Sequence, residues 1–562
     1  MSEQNCWQAV VEALRAEGVK YVFGLPGSAN QLYNALYDAQ DVKPVVLRHE
    51  TAGVFAAMGY ARVSGEPAVC YGSAGPGVAN LVPGLLEALS ACTPVIALGT
   101  AAAMQNEGKG AFQEANQLGM CAPVTKWSVR VTAPEQVPWA VRRAFAVATN
   151  GKPGPVYLEI PADVALARAP LPAYRPAERW LRTAPDPTRV AEAVRLIAQA
   201  KRPVLVAGGG VVLSRAFAEL RSLAERYALP VLTTLSGRGS IPEDHALALG
   251  LVGLYFSPLG ERVYGEADLL IIVGSRSEEF QTGAWQFFPP GAKMIQVDVD
   301  ATEIGRNWVA DVPLVGDAKL TLAAIEQGLA ALGPDDSAWR ERSAQLAKDK
   351  EAYEAEVAAE CRTAAVPLAS KRVVRELNEV FGRETILVNE NGSQDLWSYY
   401  SPYYRVMEVG GCVPPGEQTC MGFATGAAIG AKLAAPEKNV VCVTGDGAVQ
   451  LFVEEFASAR QCGAAVTWVI LNNYALGWPR FGQKLLGERY IATDFAVQPD
   501  FAAVARASGC YGEQVKEPEQ IRPALARARR ANAEGLPAVL DFAVDGGDLA
   551  YGFLSYYKRT GR

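Results

Sequence analysis

Short apolar runs alternate with longer amphipathic segments along most of the chain. In the first third the apolar runs lie at residues 21–24, 45–47, 68–71, 95–98 and 156–160. Similar runs recur around residues 203–207, 269–273 and 294–297, and again at 385–389, 439–444 and 466–471. Strand-like runs that alternate with helical segments are typical of parallel sheets covered by helices. The pattern therefore predicts an α/β protein built from doubly wound parallel sheets.

Two stretches interrupt this alternation and divide the chain into three units. Residues 161–188 are rich in proline and lack periodicity, which favours an extended connector. Residues 336–364 are charged and rich in alanine, which favours a helical connector. The predicted domains are residues 1–165, 189–335 and 365–545, followed by a basic and aromatic tail at residues 546–562. A length of 562 residues agrees with this division, since domains average roughly 150 residues.

Composition narrows the class of protein. Hydrophobic residues make up 50% and charged residues 20% of the chain, as in soluble globular proteins. The net charge of −7 argues against nucleic acid or an anionic membrane as a partner. Ten scattered cysteines without metal-binding spacing, and an N-terminus without a signal-peptide pattern, favour a reduced cytoplasmic location. No apolar run is long enough to predict a membrane span.

The most specific chemistry follows two strands of the third unit. Gly445-Asp446-Gly447 follows the run at 439–444, and Asn472-Asn473 follows the run at 466–471. In a parallel sheet these strand ends share one edge, where ligands bind. The glycines allow a phosphate to approach the backbone, and Asp446 and Asn473 offer the oxygen ligands that Mg²⁺ takes together with phosphates. The predicted ligand is a metal-bridged diphosphate.

The first unit carries its own polar turns at predicted strand ends. The turn at residues 25–28 precedes a helix, and Arg48-His49-Glu50 opens another. A glycine-rich loop at residues 72–80 opens a third helix, and Phe112-Gln113-Glu114 lies in a longer loop. These turns place a carboxylate and several exposed backbone groups at the edge of the first sheet.

The order of these pieces resembles the thiamine-diphosphate (ThDP) enzymes of the acetolactate synthase, benzoylformate decarboxylase and oxalyl-CoA decarboxylase group. The resemblance is carried by GDG…NN, by RHE followed by GPG-x-x-N, by FQE with a downstream Thr125-Lys126, and by residues 237–245 and 298–307. It covers essentially the whole chain. It implies pyrimidine-binding, middle and diphosphate-binding domains, with the cofactor between the first domain of one subunit and the third of another. A homodimer is then the minimum assembly, and a homotetramer is expected.

The resemblance also implies roles for individual residues. Glu50 and Gln113 are the expected catalytic residues, with Glu50 the acid/base partner of the cofactor's pyrimidine ring. The expected magnesium ligands are Asp446, Asn473 and the carbonyl of Ala475. Phe112 and Gln113, together with Trp478 and Arg480, are expected to contact substrate. The other expected cofactor contacts are Pro26, Gly27, Gly75, Asn80, Gly392, Ser393, Gln394, Met421, Gly445, Gly447, Ala448, Leu476 and Gly477.

The implied activity is that of a ThDP- and Mg²⁺-dependent lyase or carboligase. Such an enzyme acts next to a carbonyl through a C2 carbanion and an enamine, and its substrate is a 2-oxo acid or a 2-hydroxyacyl-CoA. Acetolactate synthases usually carry Met-Val-x-Gln-Trp-Gln after the NN pair, where this chain has residues 477–483, GWPRFGQ. They also tend to have Pro-Lys-Asp where this chain has Pro161-Ala162-Asp163. Substrate choice is therefore expected to differ in this protein.

Three alternatives remain open from the sequence. The chain is specifically a 2-hydroxyacyl-CoA lyase or oxalyl-CoA decarboxylase if the tail closes over CoA, with Lys558, Arg559 and Arg562 on phosphates and Tyr556 or Tyr557 on adenine. For the middle domain, FAD, ADP and no ligand all remain possible, because the Gly208-Gly209-Gly210 turn alone does not distinguish between them. A catalytically silent nucleotide-binding paralogue is disfavoured, since Glu50, Asp446 and Asn473 are all retained.

Overall fold

A computed structural model of the chain describes residues 2–27 and 30–561. It contains three sheets of six parallel strands, each flanked by helices, and a separate two-stranded ribbon. The predicted α/β class is confirmed. Many strands are buried along their whole length, because helices shield the sheets, and they are accordingly composed of Val, Ile and Leu. Ser28 and Arg562, named above in a turn and in the tail, lie outside the described residues.

The first unit is built on a sheet of strand order β3-β2-β4-β5-β7-β6. Its strands, with the ribbon pair β1 and β8, are β1 Ser2–Asn5, β2 Tyr21–Gly24, β3 Lys43–Val46, β4 Ala68–Gly72, β5 Val95–Ala101, β6 Trp127–Arg130, β7 Val156–Pro161 and β8 Arg168–Leu171. Its helices are α1 Cys6–Ala16, α2 Asn30–Asp38, α3 Glu50–Ser64, α4 Pro76–Ser90, α5 Gln117–Cys121, α6 Val137–Thr149 and α7 Ala162–Leu166. The stretch predicted as an extended connector thus holds α7 and β8, and β8 pairs antiparallel with β1.

The second unit has the strand order β11-β10-β9-β12-β13-β14. Its strands are β9 Pro203–Ala207, β10 Val231–Thr233, β11 Ala248–Leu251, β12 Leu269–Val273, β13 Lys293–Asp298 and β14 Val312–Val315. Its helices are α8 Pro187–Gln199, α9 Gly209–Leu213, α10 Phe217–Tyr227, α11 Pro258–Gly265, α12 Glu279–Thr282 and α13 Ala318–Leu332. The charged stretch that follows forms the long helix α14, Ser337–Glu360, where a helical connector was expected.

The third unit has the strand order β16-β15-β17-β18-β20-β19. Its strands are β15 Thr385–Asn389, β16 Cys412–Val413, β17 Asn439–Gly445, β18 Thr467–Asn472, β19 Tyr511–Val515 and β20 Ala538–Ala543. Its helices are α15 Ser370–Phe381, α16 Phe423–Ala434, α17 Asp446–Val449, α18 Glu455–Cys462, α19 Gly477–Leu485, α20 Phe501–Ala507, α21 Ile521–Ala533 and α22 Tyr551–Thr560.

Small residues set the contact between the first and third units, where α3 packs against α16. A Cβ atom built on Gly430 would lie 1.7 Å from the carbonyl oxygen of Ala56, and one built on Gly59 would lie 1.9 Å from that of Ala427. Any side chain at either glycine would force the two backbones apart. The edges of the first and third sheets that carry the polar turns are therefore held at a fixed separation.

The tail is a helix that docks on the second unit. Phe553 and Tyr556 of α22 are buried, and the Arg559 guanidinium lies 3.9 Å above the ring of Phe287. Arg559 also donates a hydrogen bond to Glu261. None of the helices in the described part of the chain is long and apolar enough to cross a membrane.

Candidate functional site

A cavity of about 270 Å³ opens at the carboxyl edge of the third sheet. Strands β17 and β18 are parallel neighbours, with Gly445 opposite Leu471 in register. Asp446 and Asn473 follow these strands directly and therefore face the same edge. The cavity brings together all the cofactor and metal residues expected in the third unit, and Trp478: Gly392, Ser393, Gln394, Met421, Gly445, Asp446, Gly447, Ala448, Asn473, Ala475, Leu476, Gly477 and Trp478.

The Asp446 carboxylate is deeply buried in this cavity and is linked to the neighbouring strand end. Its residue is only 1% exposed, and burial raises the pKa of the carboxyl to about 6. Gln498 donates to its Oδ2 at 2.5 Å and to Oδ1 of Asn472 at 2.9 Å. Asn472 in turn donates to Asp541 at 2.9 Å. The side chain of Gln498, which the sequence did not single out, therefore links the two strand ends.

The donors at this edge suit Mg²⁺. Among residues 2–27 and 30–561 no group of three or more His, Cys, Asp or Glu side chains is arranged to hold a metal. A cation here would rely on the Asp446 carboxylate, the Asn473 amide oxygen and the Ala475 carbonyl, with phosphate oxygens and water as the remaining ligands, as Mg²⁺ prefers. A buried carboxylate without a basic partner also favours a nearby cation. The residues present therefore fit the ion.

Close backbone packing shapes the diphosphate side of the cavity. A Cβ atom built on Gly477 would lie 2.0 Å from Oγ of Ser393, so only glycine fits there. Asp395 is completely buried, and its Oδ2 accepts from the backbone N–H of Gly392 at 2.9 Å. The backbone of Gly445 also donates to this carboxyl, whose pKa burial raises to about 7. Asp395, which sequence reasoning missed, therefore draws the Gly392 and Gly445 turns together.

The second half of the expected site lies at the edge of the first sheet. Glu50 is the first residue of α3 and is 6% exposed. The Asn80 side chain donates to Glu50 Oε2 at 3.0 Å. A Cβ atom built on Gly77 would lie 3.0 Å from Glu50 Oε1, so the glycine-rich loop runs directly past the carboxylate. The loop and the helix N-terminus together fix the position of Glu50.

The remaining residues expected in the first unit adjoin this loop. A Cβ atom built on Gly75 would lie 2.9 Å from the carbonyl oxygen of Gln113, and one built on Gly27 would lie 2.3 Å from Cβ of Ser73. Pro26 precedes Gly27 in the turn after β2. Phe112 is 84% exposed. The structure thus gathers the first-unit residues into one patch, with a large apolar side chain left uncovered.

The two halves do not meet within one chain. Within the described ranges, no residue of the first unit lines the third-unit cavity. Met421, on the rim of that cavity, is 47% exposed, so it is not packed in a core. Exposed large apolar side chains beside polar groups are typical of surfaces that bind another molecule.

A buried carboxylate of the third unit supports the turn before Glu50. The Glu455 side chain accepts from the backbone N–H groups of Arg48 at 2.9 Å and His49 at 3.0 Å. Burial raises the pKa of the Glu455 carboxyl to about 7. The sequence carries no local signal for this contact, because the partners are separated by more than 400 positions.

Replacing Glu455 by glutamine should flatten the pH dependence of stability. Because folding raises its pKa from 4.5, its neutral form stabilises the protein fully below pH 4.5, and this stabilisation is lost as the pH rises to about 7. The loss amounts to at most about 3 kcal/mol. Denaturant midpoints measured across this window should fall less steeply in the variant than in wild type. Glu534→Gln, at an exposed position, is the control, and identical slopes in wild type and Glu455→Gln would contradict the assignment.

A second buried carboxylate, missed by the sequence, holds the loop that carries Met421. Glu87 of α4 is fully buried and accepts from the backbone N–H groups of Gly416 and Cys420, the latter at 2.8 Å. Within the same loop, Thr419 has a φ of +46°, a strained conformation for a residue with a side chain. Helix α4 of the first unit therefore supports a loop that lines the third-unit cavity.

Aromatic residues form the wall of the cavity next to the tail. Trp478 donates from Nε1 to the Tyr557 hydroxyl at 2.6 Å, and its ring lies 5.8 Å from that of Phe280. Arg480, expected to contact substrate, does not line the cavity. Its guanidinium instead bonds Asp494 at 2.7 Å and lies 4.3 Å above the ring of Tyr490.

A separate cavity lies at the carboxyl edge of the second sheet. It includes Gly209 and Gly210 after β9, Gly274 after β12 and Asp298 at the end of β13. Arg276, also in its lining, pairs with Glu278 at 2.9 Å. Glycines and polar groups at adjacent strand ends are the usual setting of nucleotide sites in such sheets.

Comparison with known proteins finds relatives along nearly the whole chain. Three thiamine pyrophosphate enzyme family models match the chain, with the N-terminal TPP binding domain at residues 4–120, the central domain at 190–325 and the C-terminal TPP binding domain at 392–542. A probable acetolactate synthase large subunit of Methanocaldococcus jannaschii is 36% identical, over 96% of this chain and 91% of the relative. The acetolactate synthase large subunits of Mycobacterium tuberculosis and Corynebacterium glutamicum are each 35% identical, over 96% of this chain and 87% and 86% of the relative.

These matches extend over all three sheets. They confirm the expected thiamine diphosphate cofactor, the enzyme class and the acetolactate synthase-like type of activity. The chain therefore belongs to the thiamine-diphosphate-dependent enzymes of the acetolactate synthase group.

Proposed function

We propose that the protein is a ThDP- and Mg²⁺-dependent carboligase that uses a 2-oxo acid as acyl donor. The observation that carries this proposal is the single cavity that unites Met421, the Gly392–Gln394 turn, Asp446 and Asn473. A ligand with a metal-bound diphosphate at one end and an apolar ring system at the other would use all of these groups at once.

Bound ThDP supplies a nucleophilic carbon that adds to a carbonyl and an electron sink for the bond that breaks. Glu50 contributes a buried carboxyl at which a proton is held and exchanged with the pyrimidine ring. Asp446, Asn473 and the Ala475 carbonyl would hold the metal, whose charge would neutralise the diphosphate without redox chemistry. Met421, which lines the same cavity, would supply an apolar contact to the cofactor. Gln113, held against Gly75, orients the substrate.

The two separated half-sites support a homodimer as the smallest active assembly. Glu50 in one subunit would face the cavity of its partner, and the exposed Phe112 would be covered there. We propose that two such dimers associate into a tetramer, as the family resemblance implies. A symmetric dimer then contains two equivalent sites.

The tail favours a 2-oxo acid over an acyl-CoA substrate. Arg559 is neutralised by Glu261, and Tyr556 is only 2% exposed. Tyr557 bonds Trp478, so both tyrosines are engaged within the protein. Of the residues expected to contact CoA, Lys558 is exposed to solvent. Among the tail residues that the structure describes, this leaves one lysine for the several phosphates of CoA.

We further propose that the second-unit cavity holds an adenine nucleotide, as FAD or ADP. Its support is the Gly208–Gly210 turn beside Gly274, where a Cβ atom built on Gly208 would lie 2.2 Å from the Gly274 carbonyl oxygen. Such close turns admit a phosphate to the backbone. An absorbance spectrum of the protein as purified distinguishes flavin from ADP.

A cytoplasmic location is also part of the proposal. All ten cysteines are free thiols, seven of them buried. Unpaired buried thiols are typical of proteins that work in a reducing compartment.

The proposal is tested by assaying the purified protein with ThDP and Mg²⁺ against pyruvate, benzoylformate, oxalyl-CoA and a 2-hydroxyacyl-CoA. Release of CO₂ from a 2-oxo acid, dependent on both ThDP and Mg²⁺, is the expected result. Turnover confined to the two acyl-CoA substrates would instead establish the CoA-dependent alternative.

A further inference from the structure

We infer that the acceptor in this reaction is an uncharged aldehyde or ketone with an apolar or aromatic substituent, and not a second 2-oxo acid. The inference rests on the proposed carboligase function and concerns the side of the cavity formed by Phe280 and Trp478. These two residues line the cavity beside Met421, Leu476 and Gly477, whose place in it is described above.

An aromatic cluster supports this side of the cavity. The rings of Phe280 and Trp478 are tilted by 30° with centroids 5.8 Å apart. Tyr556 packs edge-on against Phe280 at 6.1 Å, and Phe553 packs edge-on against Trp478 at 5.0 Å. The Tyr557 hydroxyl fixes the Trp478 indole from behind. The wall is therefore rigid, apolar and suited to a flat or aliphatic substituent.

The described residues that line the cavity provide no positive charge to pair with a carboxylate of the acceptor. Of the described residues that line the cavity, none is Lys, Arg or His. The lining instead includes the acidic residues Glu390, Asp395 and Asp446. Arg480, two positions after Trp478, is bonded to Asp494 and lies outside the lining. Arg276, four positions before Phe280, pairs with Glu278 and also lies outside the lining.

A substrate carboxylate placed here would lose water without gaining a cation. Moving an unpaired carboxylate into such a site is unfavourable, whereas an apolar group of the same size gains from burial. The carboxylate of the donor is lost as CO₂ during the reaction, so it is absent from the product. The acceptor's carboxylate would remain in the product, so the cost applies to the acceptor.

The first-unit loop of residues 102–116 contains one basic residue, Lys109. Lys109 is exposed in the loop that carries Phe112 and Gln113. If the partner subunit brings this loop over the cavity, Lys109 is the cation that could reach an acceptor carboxylate. Its contribution is therefore tested separately below.

The proposed overall reaction balances without an added oxidant or reductant. The bond between the carboxylate and the carbonyl carbon of the 2-oxo acid breaks and releases CO₂. A carbon–carbon bond forms between that carbonyl carbon and the carbonyl carbon of the acceptor. The acceptor oxygen takes one proton from solvent, and with an aldehyde the product is a neutral 2-hydroxy ketone.

The test compares benzaldehyde with 4-formylbenzoate, which adds one carboxylate, and includes the neutral 4-formylbenzamide as a control for size, with whichever 2-oxo acid the enzyme decarboxylates. We expect kcat/KM for benzaldehyde to exceed that for 4-formylbenzoate by at least about tenfold, the factor that corresponds to 1.4 kcal/mol. Pyruvate as acceptor should likewise be poor. Equal values for the two aldehydes, or a preference for the charged one, would overturn the inference.

Two variants locate the effect. Phe280→Arg places a cation on the wall and should reduce the preference for benzaldehyde at least several-fold, whereas Phe280→Leu should weaken both acceptors but keep their ratio. A third variant, Lys109→Gln, tests the loop cation. If the wild-type enzyme turns over 4-formylbenzoate as fast as benzaldehyde and Lys109→Gln loses only the former activity, Lys109 is the acceptor's cation and the inference is wrong.

The proposed function can fail independently. Absence of ThDP-dependent CO₂ release from any 2-oxo acid would overturn the proposed function. Calorimetric titration of the ThDP–Mg²⁺ enzyme with the two aldehydes would then still decide the inference, since binding does not require a donor. Tighter binding of benzaldehyde supports an uncharged ligand, and equal or tighter binding of 4-formylbenzoate refutes it.

Discussion

Replacing Glu50 by glutamine should lower turnover by at least about 100-fold while ThDP and Mg²⁺ remain bound. Glutamine preserves the size of the side chain and can still accept from Asn80, which donates to Glu50 Oε2 at 3.0 Å. It cannot take up and return a proton. Because Glu50 is only 6% exposed, water cannot easily replace it in this role. The expected result is a folded, cofactor-loaded and nearly inactive protein.

The measurement pairs steady-state CO₂ release with calorimetric titration of ThDP. Glu12→Gln, on the exposed face of α1, serves as the matched control and should behave as wild type. Turnover within a factor of two or so of wild type in Glu50→Gln would rule out the proposed proton exchange at Glu50. Loss of ThDP binding would instead show that Glu50 mainly supports the cofactor.

Replacing Asp446 by alanine should abolish Mg²⁺-dependent retention of ThDP. The carboxylate is 1% exposed, and no other acidic side chain follows β17 or β18 directly. Without it, a magnesium ion would keep only the amide of Asn473 and a carbonyl as protein ligands, so the charge of the diphosphate would be poorly offset. We expect ThDP affinity in the presence of Mg²⁺ to fall by two orders of magnitude or more, roughly the effect of losing a metal site.

Gel filtration followed by quantification of bound ThDP measures the effect, with the exposed Asp38→Ala as control. Unchanged, Mg²⁺-dependent retention in Asp446→Ala would remove Asp446 from the metal site. Mixing this variant with Glu50→Gln adds a test of the shared site. If each site uses Glu50 of one subunit and Asp446 of its partner, hybrid dimers contain one intact site, and an equal mixture should regain about a quarter of wild-type activity.

Much of the third-unit half-site was predictable because its signals are local. Gly445-Asp446-Gly447 and Asn473 each follow an apolar strand directly, and parallel pairing places both strand ends on one edge. The position of Glu50 as the first residue of a helix after β3 was predictable in the same way, whereas its role as acid/base partner came from the family resemblance. Residues that directly follow a strand in the sequence also lie at the end of that strand in the fold, so the sequence alone is enough to predict their position.

The residues that sequence reasoning missed act over long separations. Glu87 reaches the Met421 loop and Glu455 reaches the turn before Glu50, each across more than 300 positions. Both look in the sequence like ordinary helical glutamates. Their burial and their backbone partners arise only when α4 and α18 pack against another unit.

Arg480 and the tail show the opposite case, because residue types that suggested substrate binding make contacts within the protein. Arg480 follows Trp478 closely, yet its guanidinium is directed to Asp494. The basic and aromatic tail was compatible with a lid, but α22 docks on the second unit through Tyr556 and Arg559. Side-chain direction and ion pairing depend on neighbours that the chain brings in from a distance.

The sequence by itself determined the three α/β units, the sheet edge at which a ligand is expected, and Asp446, Asn473 and Glu50 as the candidate chemistry. The units, the edge, Asp446 and Asn473 follow from hydrophobic periodicity and turn composition, which are local properties, and Glu50 follows from the family resemblance. Only the tertiary structure decided that the two halves stay apart within one chain and that the cavity wall is aromatic and without a cation. Those properties depend on which distant side chains become neighbours and which charges neutralise one another, and no stretch of sequence contains that information.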